Sequence, residues 1–573
     1  MSAPKVAVLS LAMALALGGC SASQQQSTAS SDVAKVDGSF TNPIFPNGAD
    51  PWLEYFDGNY YLTTTTWSSQ LVMRKSPTLA GLKDAPPVYL WSETDPKSCC
   101  NFWAFEFHRL KRPEGYRWFL MFTSGKQENY DGQHLSVLES AGDDPMGPYS
   151  YKGSPMPGTW NIDGTYLEHG GKLYLLWSEW VGDEQRNFIA EMKNPWTITG
   201  PKVVLTRPTQ PWAQSGRKVN EGPEVLKHDG RTFVIYSASF CDTPDYKLAQ
   251  IELTGDNPLD PKAWTHAAQP VFERGNGVFG PGHNGFFKSP DGKENWLVYH
   301  GNSKESEGCG LTRSLRAQPF GWHQDGSPDF GQPASEQTLI AAPSGENGPL
   351  TVVPQGATWQ LSQNGKLLEG QKAWVLDPTL GGQYRLADSQ GRFLTGQSCG
   401  AALQPWQNLA CQQWQLGAGK DGLISLSQQG QSLGQWQALP LGAVALVSAQ
   451  SGKVMSLAKG QLVQRAYDQG QDQRWQVKAA DSGYVQLSPE GSQQCLAVKD
   501  QSLAAGAAVV MAACDGPQSQ WSMDLKGDGA VQFINRHSQQ SLDLASCALA
   551  DGAAINQAPA TDGRCQHFFV RRP

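Results

Sequence analysis

The chain reads as an all-β protein whose first half closes into a five-fold ring of small sheets. Five polar residues keep a nearly constant step along it: Asp50, Glu106, Asp163, Glu221 and His283, separated by 56, 57, 58 and 62 residues. Each is followed eight or nine residues later by a glycine suited to a tight turn (Gly58, Gly115, Gly171, Gly230, Gly292). After each glycine comes an apolar, aromatic-rich run such as Tyr60-Tyr61-Leu62 or Trp118-Phe119-Leu120. The composition agrees: 20 Trp, 16 Tyr and 21 Phe accompany 61 Gly and 37 Pro, a mix that suits many short strands joined by turns. One unit recurring at a long fixed period is a repeat architecture. A unit of about 57 residues holds a four-stranded sheet, and radial repetition of five such sheets is a five-bladed β-propeller.

At 573 residues the chain exceeds one ordinary core, so two or three domains are expected. The net charge is −8 and no basic stripe or block appears, which argues against nucleic acid as a partner. A monomer is expected. At the start, Lys5 precedes the apolar run from Val6 to Leu17, too short for a stable bilayer span. The run ends in Leu17-Gly18-Gly19-Cys20, which resembles the lipobox of bacterial lipoproteins. The resemblance implies a signal peptide over 1–20, lipid attachment to Cys20 and export to the outer membrane, facing periplasm or cell surface, since Ser21 and not Asp follows. An ordinary secretory signal with an incidental Cys is the alternative. Residues 21–40 are rich in Ser, Gln and Ala and read as a flexible tether. No later segment is apolar enough to span a bilayer, so membrane contact is expected through the lipid anchor only.

The ring occupies residues 41–340. Alternation shows in Trp52-Leu53-Glu54-Tyr55-Phe56, and turn chemistry recurs as Asp57-Gly58, Gly170-Gly171, Asp229-Gly230 and Asp291-Gly292. In a propeller the innermost strand of each blade lines the axis, so one polar residue per unit faces the hub. Carboxylates gathered there drive one another's pKa values apart, which separates acid from base. Taken singly, Asp50-Pro51 is an ordinary turn pair and Glu221-Gly222-Pro223 an ordinary loop; their shared register is what lifts them. Gly275-Asn276-Gly277-Val278-Phe279-Gly280 fits a dinucleotide-loop pattern but lacks the strand–helix context and runs into Pro281, so it is set aside.

The stretches Gly48-Ala49-Asp50-Pro51-Trp52, Trp103-Ala104-Phe105-Glu106, Ile162-Asp163-Gly164-Thr165, Asn220-Glu221-Gly222-Pro223 and Gly280-Pro281-Gly282-His283 resemble the five blade motifs of glycoside hydrolase family 43. The resemblance covers about half the chain. It implies inverting hydrolysis of arabinose- or xylose-containing polysaccharides, with Asp50 as general base, Glu221 as general acid and Asp163 tuning the acid. Trp103 and Glu106 match a sugar-contacting motif in which Phe105 replaces a proline. His283 matches a histidine that holds a central metal ion, often Ca2+, mostly through water; no cofactor is needed for the chemistry. Arg313 resembles a substrate-reading arginine. Trp52, Trp67, Trp177 and Trp180 are candidates for the walls of the sugar pocket, because sugar rings stack on aromatic faces.

Past a boundary at 342–350, Gln becomes common and four weaker copies of another unit end in Gln412-Gln413-Trp414, Gln473-Arg474-Trp475, Ser519-Gln520-Trp521 and Gln566-His567-Phe568. These resemble the repeat of ricin-type β-trefoils, carbohydrate-binding module family 13. Residues 440–573 are assigned to one trefoil. Residues 345–435 are expected to form a small all-β segment, either a divergent partial trefoil or a sandwich. Asp543 with Asn556 and Gln557 keeps the polar half of a lectin site, and Trp406 and Tyr467 offer aromatics; a purely structural trefoil is the alternative.

Eleven cysteines less the lipidated Cys20 leave ten, an even number that suits an exported protein. Cys495/Cys514, Cys547/Cys565 and Cys399/Cys411 read as local pairs, and Cys241 and Cys309 remain to join the fourth and fifth units. Cys99-Cys100 either bond each other or pair elsewhere. No zinc-type spacing is present.

The expected function is exo-acting release of α-L-arabinofuranosyl residues from plant cell-wall arabinan or arabinoxylan. β-Xylosidase and endo-arabinanase are rivals of the same fold, and a non-catalytic surface glycan-binding lipoprotein is a rival of another class.

Overall fold

The computed structural model describes residues 38–573; Cys20 and most of the expected tether lie outside the described residues. The fold is all-β, with only single-turn 3-10 segments and no α-helix among the described residues. Five antiparallel blades follow one another from Trp52 to Asp329, the third and fourth joined by a short parallel pairing of Glu184 and Gln185 with Lys218 and Val219. Their inner strands are Trp52–Phe56, Cys100–Arg112, Ile162–His169, Lys218–His228 and Phe279–Lys288, and each touches the next, the last meeting the first, so the ring closes.

The apolar runs after each turn are continuous because both faces of every blade are buried against a neighbour. Tyr60 and Leu62 face the fifth blade while Tyr61 faces the second. Phe119 and Met121 face the third blade while Trp118, Leu120 and Phe122 face the first. Leu297 and Tyr299 face the fourth while Trp296 and Val298 face the first. Period-two alternation thus feeds a separate hydrophobic core between each pair of blades. Each large side chain buried this way contributes roughly 1.5–3 kcal/mol. The segment before Asp50 secures the closure: Phe45 bridges Leu315, Gly48 N–H donates to Arg313 O, and Phe40 pairs with Ile340.

Every inner strand carries the same irregularity. Pairing with the second strand slips by one residue at Ala104, Asp163, Gly222 and His283, and Asp50 sits at the matching place between the Ala49–Thr65 bond and the Trp52–Thr63 pair. These five residues have φ of 51° (Asp50), 43° (Ala104), 55° (Asp163), 53° (Gly222) and 46° (His283), the left-handed region. A one-residue bulge of this kind re-aims its side chain out of the strand's alternation. The equivalent hub positions are therefore Asp50, Ala104, Asp163, Gly222 and His283. The sequence spacing had placed Glu106 and Glu221 in that set; Glu106 stands two residues past its bulge and Glu221 one before.

Residues 358–440 form a closed barrel, not a two-layer sandwich. Six strands pair in a ring: Thr358–Gln363, Trp374–Pro378, Gln383–Asp388, Trp414–Ala418, Ile424–Gln428 and Gln431–Pro440, the last returning to the first. Two short hairpins flank it: the end of Thr358–Gln363 with Lys366–Leu367, and Phe393–Leu394 with Leu403–Gln404. The following β-trefoil is complete, with six barrel strands and the three hairpins Val454–Ala458/Gln461–Arg465, Gln494–Val498/Val509–Ala513 and Gln540–Leu544/Ile555–Pro559. The recurring motif has a local cause. Gln473 donates to Ala466 O and accepts from Asp468 N–H, while the Trp475 indole N–H donates to Met455 O. Gln412 and Gln566 close their loops in the same way, and Trp414 and Trp521 repeat the indole bond to Leu394 O and Leu496 O. Barrel and trefoil share one core, and the trefoil also packs on the first two blades through Val447, Val454 and Phe569. On the blade-one turn, Arg385 donates to Gly58 O and its guanidinium pairs with Asp377, which Lys75 also contacts. All ten described cysteines are paired: Cys99–Cys100, Cys241–Cys309, Cys399–Cys411, Cys495–Cys514 and Cys547–Cys565.

Candidate active site

At the end of the ring where the inner strands begin lies a cavity of about 650 Å3. Asp50, Asp163, Glu221, His283 and Arg313 line its floor; Trp67, Trp103, Tyr130, Trp160, Trp180 and Phe240 wall it. Its volume falls in the range of small-molecule sites, about 300–1,000 Å3.

Asp50 is buried and fully engaged. Its Oδ1 accepts from Arg313 Nη1 at 2.8 Å and lies 3.3 Å from His283 Nδ1; its Oδ2 accepts from Thr65 Oγ1 at 2.6 Å. Burial alone would raise its pKa, but the Arg313 guanidinium and His283 hold it well below the usual carboxylate range. The Asp50 N–H donates to His300 Nδ1 at 3.1 Å, which makes that nitrogen an acceptor and His300 a neutral ring. Burial agrees, lowering the His300 pKa to about 4. Thr65 also takes the Ala104 N–H at 2.9 Å, tying the first hub position to the second.

Glu221 and Asp163 have the opposite character. Burial pushes both carboxyls up, and for Asp163 the charges of Glu221 and Asp50 add to it. Glu221 is gripped at both oxygens, by Tyr246 Oη–H at 2.9 Å and Gln185 Nε2–H at 2.7 Å. Asp163 Oδ2 accepts the Gly222 N–H at 3.2 Å, so the third blade is pinned to the residue after Glu221. Gly222 has a second constraint, since a Cβ there would sit 3.3 Å from His283 Nδ1. His283 is buried; burial would lower its pKa, but the Asp50, Asp163 and Glu221 charges raise it. The cavity therefore holds one carboxylate kept ionised and two carboxyls that favour their protons.

Asp50, Asp163, Glu221, His283, Arg313, Trp67, Trp103 and Trp180 meet here as the sequence suggested. Two expected wall residues, Trp177 and Trp52, and the expected sugar contact Glu106 do not. Trp177 is fully buried and stacks on Phe188 at 5.7 Å between blades two and three. Trp52 donates its indole N–H to Phe107 O at 3.1 Å and packs on His108. Glu106 points down the channel, buried and bonded to His108 Nε2 at 2.8 Å; below the hub, burial and its charge push Glu224 well above the usual range. Strand alternation turns away Trp52 and Glu106, each two residues past a hub position, while Trp177 lies on the second strand of its blade. Tyr130, Trp160, Gln185, Arg217, Phe240 and Tyr246 were not foreseen, since loops and outer strands bring them in at no fixed period.

Calcium takes about six to eight oxygen ligands. Both Asp50 oxygens beside His283 are already taken, and among the described residues no three His, Cys, Asp or Glu side chains are grouped to hold a metal. The donor set does not fit a directly held ion.

The trefoil's candidate sugar residues are engaged in its own structure. Gln557 is fully buried, donating to Ser502 O and Ala504 O and accepting from Ser538 Oγ. Asp543 Oδ1 accepts from Gln566 Nε2 at 3.0 Å, and Asn556 lies opposite Asp543 in the hairpin. Trp406 and Tyr467 are buried core residues.

Residues 40–328 match the family profile described as Glycosyl hydrolases family 43, and residues 432–512 and 471–558 match Ricin-type beta-trefoil lectin domain-like. An "Extracellular exo-alpha-(1->5)-L-arabinofuranosidase" of Streptomyces avermitilis is 36% identical over 314 residues, which are 52% of this chain and 64% of that protein. A protein of the same description from Streptomyces chartreusis is 36% identical over 274 residues, 46% of this chain and 82% of that one. The crystal structure of an alpha-L-arabinofuranosidase from Lactobacillus brevis aligns at 31% identity with a TM-score of 0.49, covering 52% of this chain and 98% of that chain. The chain spans 64% and 63% of the length of two of its curated relatives.

Proposed function

This chain belongs to glycosyl hydrolases family 43, and on that premise we propose that it is an inverting, exo-acting glycoside hydrolase releasing α-L-arabinofuranosyl residues from arabinan or arabinoxylan. The split in protonation inside one cavity carries the reading: Asp50 ionised, Glu221 and Asp163 inclined to keep a proton. Asp50 takes a proton from a water that attacks the anomeric carbon. Glu221 gives its proton to the departing glycosidic oxygen, so the bond to the leaving group breaks as the bond to water forms, with inversion. Asp50 then sheds its proton and Glu221 regains one. The two stand on non-adjacent blades and face one cavity, an arrangement with room for the attacking water. Asp163 holds the backbone beside Glu221 through the Gly222 N–H, which fixes where the acid points.

The descriptions of the two Streptomyces relatives support arabinose over xylose, exo over endo action, and export. A lipid anchor on Cys20 is proposed from the sequence alone; loss of labelled fatty acid in Cys20→Ala would support it. A calcium ion at the hub is proposed only as one held through water near His283, and none of the steps above uses it; calorimetric titration with Ca2+ tests it.

The test of function is hydrolysis of 4-nitrophenyl α-L-arabinofuranoside and β-D-xyloside by wild type, Asp50→Asn and Glu221→Gln, with NMR of the first anomer released from an arabino-oligosaccharide. Arabinofuranoside turnover with inversion, lost in Asp50→Asn with the fold intact and with Glu221→Gln impaired on the oligosaccharide, is expected. Binding without turnover in wild type would instead mean a glycan-capturing protein.

A further inference from the structure

We propose that Arg217 makes the outer wall of the cavity a carboxylate-reading subsite, so that the enzyme favours arabinosyl groups carried beside a uronic acid; this rests on the function proposed above. The cavity does not end at its aromatic wall. Past Trp180 and Arg217 it continues into a groove bounded by Gly182, Asp183 and Lys218. The sugar that is cut lies at the deep end with Asp50, Asp163 and Glu221, so the groove receives the part of the substrate that leaves.

Arg217 is exposed at this junction, its guanidinium 5.4 Å from the Trp180 ring centre and 5.1 Å from that of Phe240. The two rings hold a cation in place without neutralising it. No carboxylate lies within 4.0 Å of it among the described residues, and those close by in the chain are committed elsewhere. Asp183 is taken by Lys218 Nζ at 2.8 Å, and Glu184 by Arg186 at 2.8 Å and Arg207 at 3.0 Å. In the same domain Arg109, Arg112, Arg231, Arg274, Arg313 and Arg316 all have acidic partners. A planar guanidinium held free beside a sugar-sized groove matches a carboxylate bidentately, which a hydroxyl cannot equal. Asp131 stands elsewhere in the cavity wall, on the second blade, and repels an acid placed there, which directs the carboxylate to the Arg217 side.

The experiment compares kcat/KM on two arabinosyl xylo-oligosaccharides that differ only in a glucuronosyl group beside the arabinose. Full-length wild type, Arg217→Gln and Arg217→Lys are assayed at low salt and at about 0.5 M NaCl, where screening is strong. Wild type is expected to favour the acidic substrate by about tenfold. Arg217→Gln should erase that ratio, Arg217→Lys keep part of it, and salt erode it in wild type. A wild type with no preference, or a preference that survives Arg217→Gln, overturns the proposal. If wild type cleaves 4-nitrophenyl α-L-arabinofuranoside while the preference is missing, the subsite alone falls; if it does not, the hydrolase reading falls with it.

Discussion

Replacing Arg313 with Gln should move the acid limb of kcat/KM upward by about one to two pH units. The guanidinium donates to Asp50 Oδ1 at 2.8 Å, and both side chains are buried. A hydrogen bond to a charged group contributes about 1.5–3 kcal/mol, and one pKa unit is about 1.36 kcal/mol, which gives that range. Burial, the largest influence on Asp50, acts to raise its pKa, so losing Arg313 leaves His283 and Thr65 to oppose it. The assay is initial-rate hydrolysis of 4-nitrophenyl α-L-arabinofuranoside across pH, with urea unfolding alongside. The stability sign follows from linkage. A depressed folded pKa stabilises above the unfolded value, about 3.9, and that stability is lost as pH falls through the folded value. The variant should therefore be less stable than wild type at pH 7, and the part of the gap due to Asp50 should close at acid pH. An active variant whose acid limb has not moved would refute the pairing as the reason Asp50 stays ionised.

Three further outcomes are expected. Glu221→Gln should lower kcat on arabino-oligosaccharides by about 10²–10⁴-fold, and by clearly less on a dinitrophenyl arabinofuranoside, whose leaving group needs no proton; equal losses would argue against an acid role. Tyr246→Phe should move the alkaline limb to higher pH by up to about one unit, because the lost bond favours ionised Glu221. Cys241→Ser with Cys309→Ser should cost about 2–4 kcal/mol in urea unfolding by opening a closure of sequence separation 68, and should raise KM, since Cys309 lies on the cavity wall four residues before Arg313.

Much of the ring was legible because two periodicities coincide in it. The long repeat marks blades, and alternation within Tyr60-Tyr61-Leu62 or Trp296-Leu297-Val298 marks strands buried on both sides. Asp50, Asp163 and His283 could be found because each occupies its bulge, a place fixed by the repeat. Glu106 could not be excluded, since a displacement of two residues is lost in a step that already varies from 56 to 62. Trp177 and Trp180 show the same limit: three positions apart, one fills the seam between blades and the other walls the cavity, a difference set by strand direction. Arg217 and Phe240 reach the site from loops whose path depends on their neighbours, and no spacing announces them. In the second half, Gln412, Gln473 and Gln566 with Trp414, Trp475 and Trp521 were visible because each bonds within its own repeat. The barrel over 358–440 was not, because its hairpins are short and its closure depends on pairing between distant strands.

The left-handed residue in each inner strand gives the hub five equivalent mounts, and only three carry working groups. Gly222 is locked, since any side chain there would crowd His283. Ala104 is the vacant one: its backbone already holds the φ of 43° that aims a side chain inward, and its N–H is fastened to Thr65. Chemistry in such a wheel can be exchanged a mount at a time without rebuilding the blades, and position 104 is where a fourth group would enter.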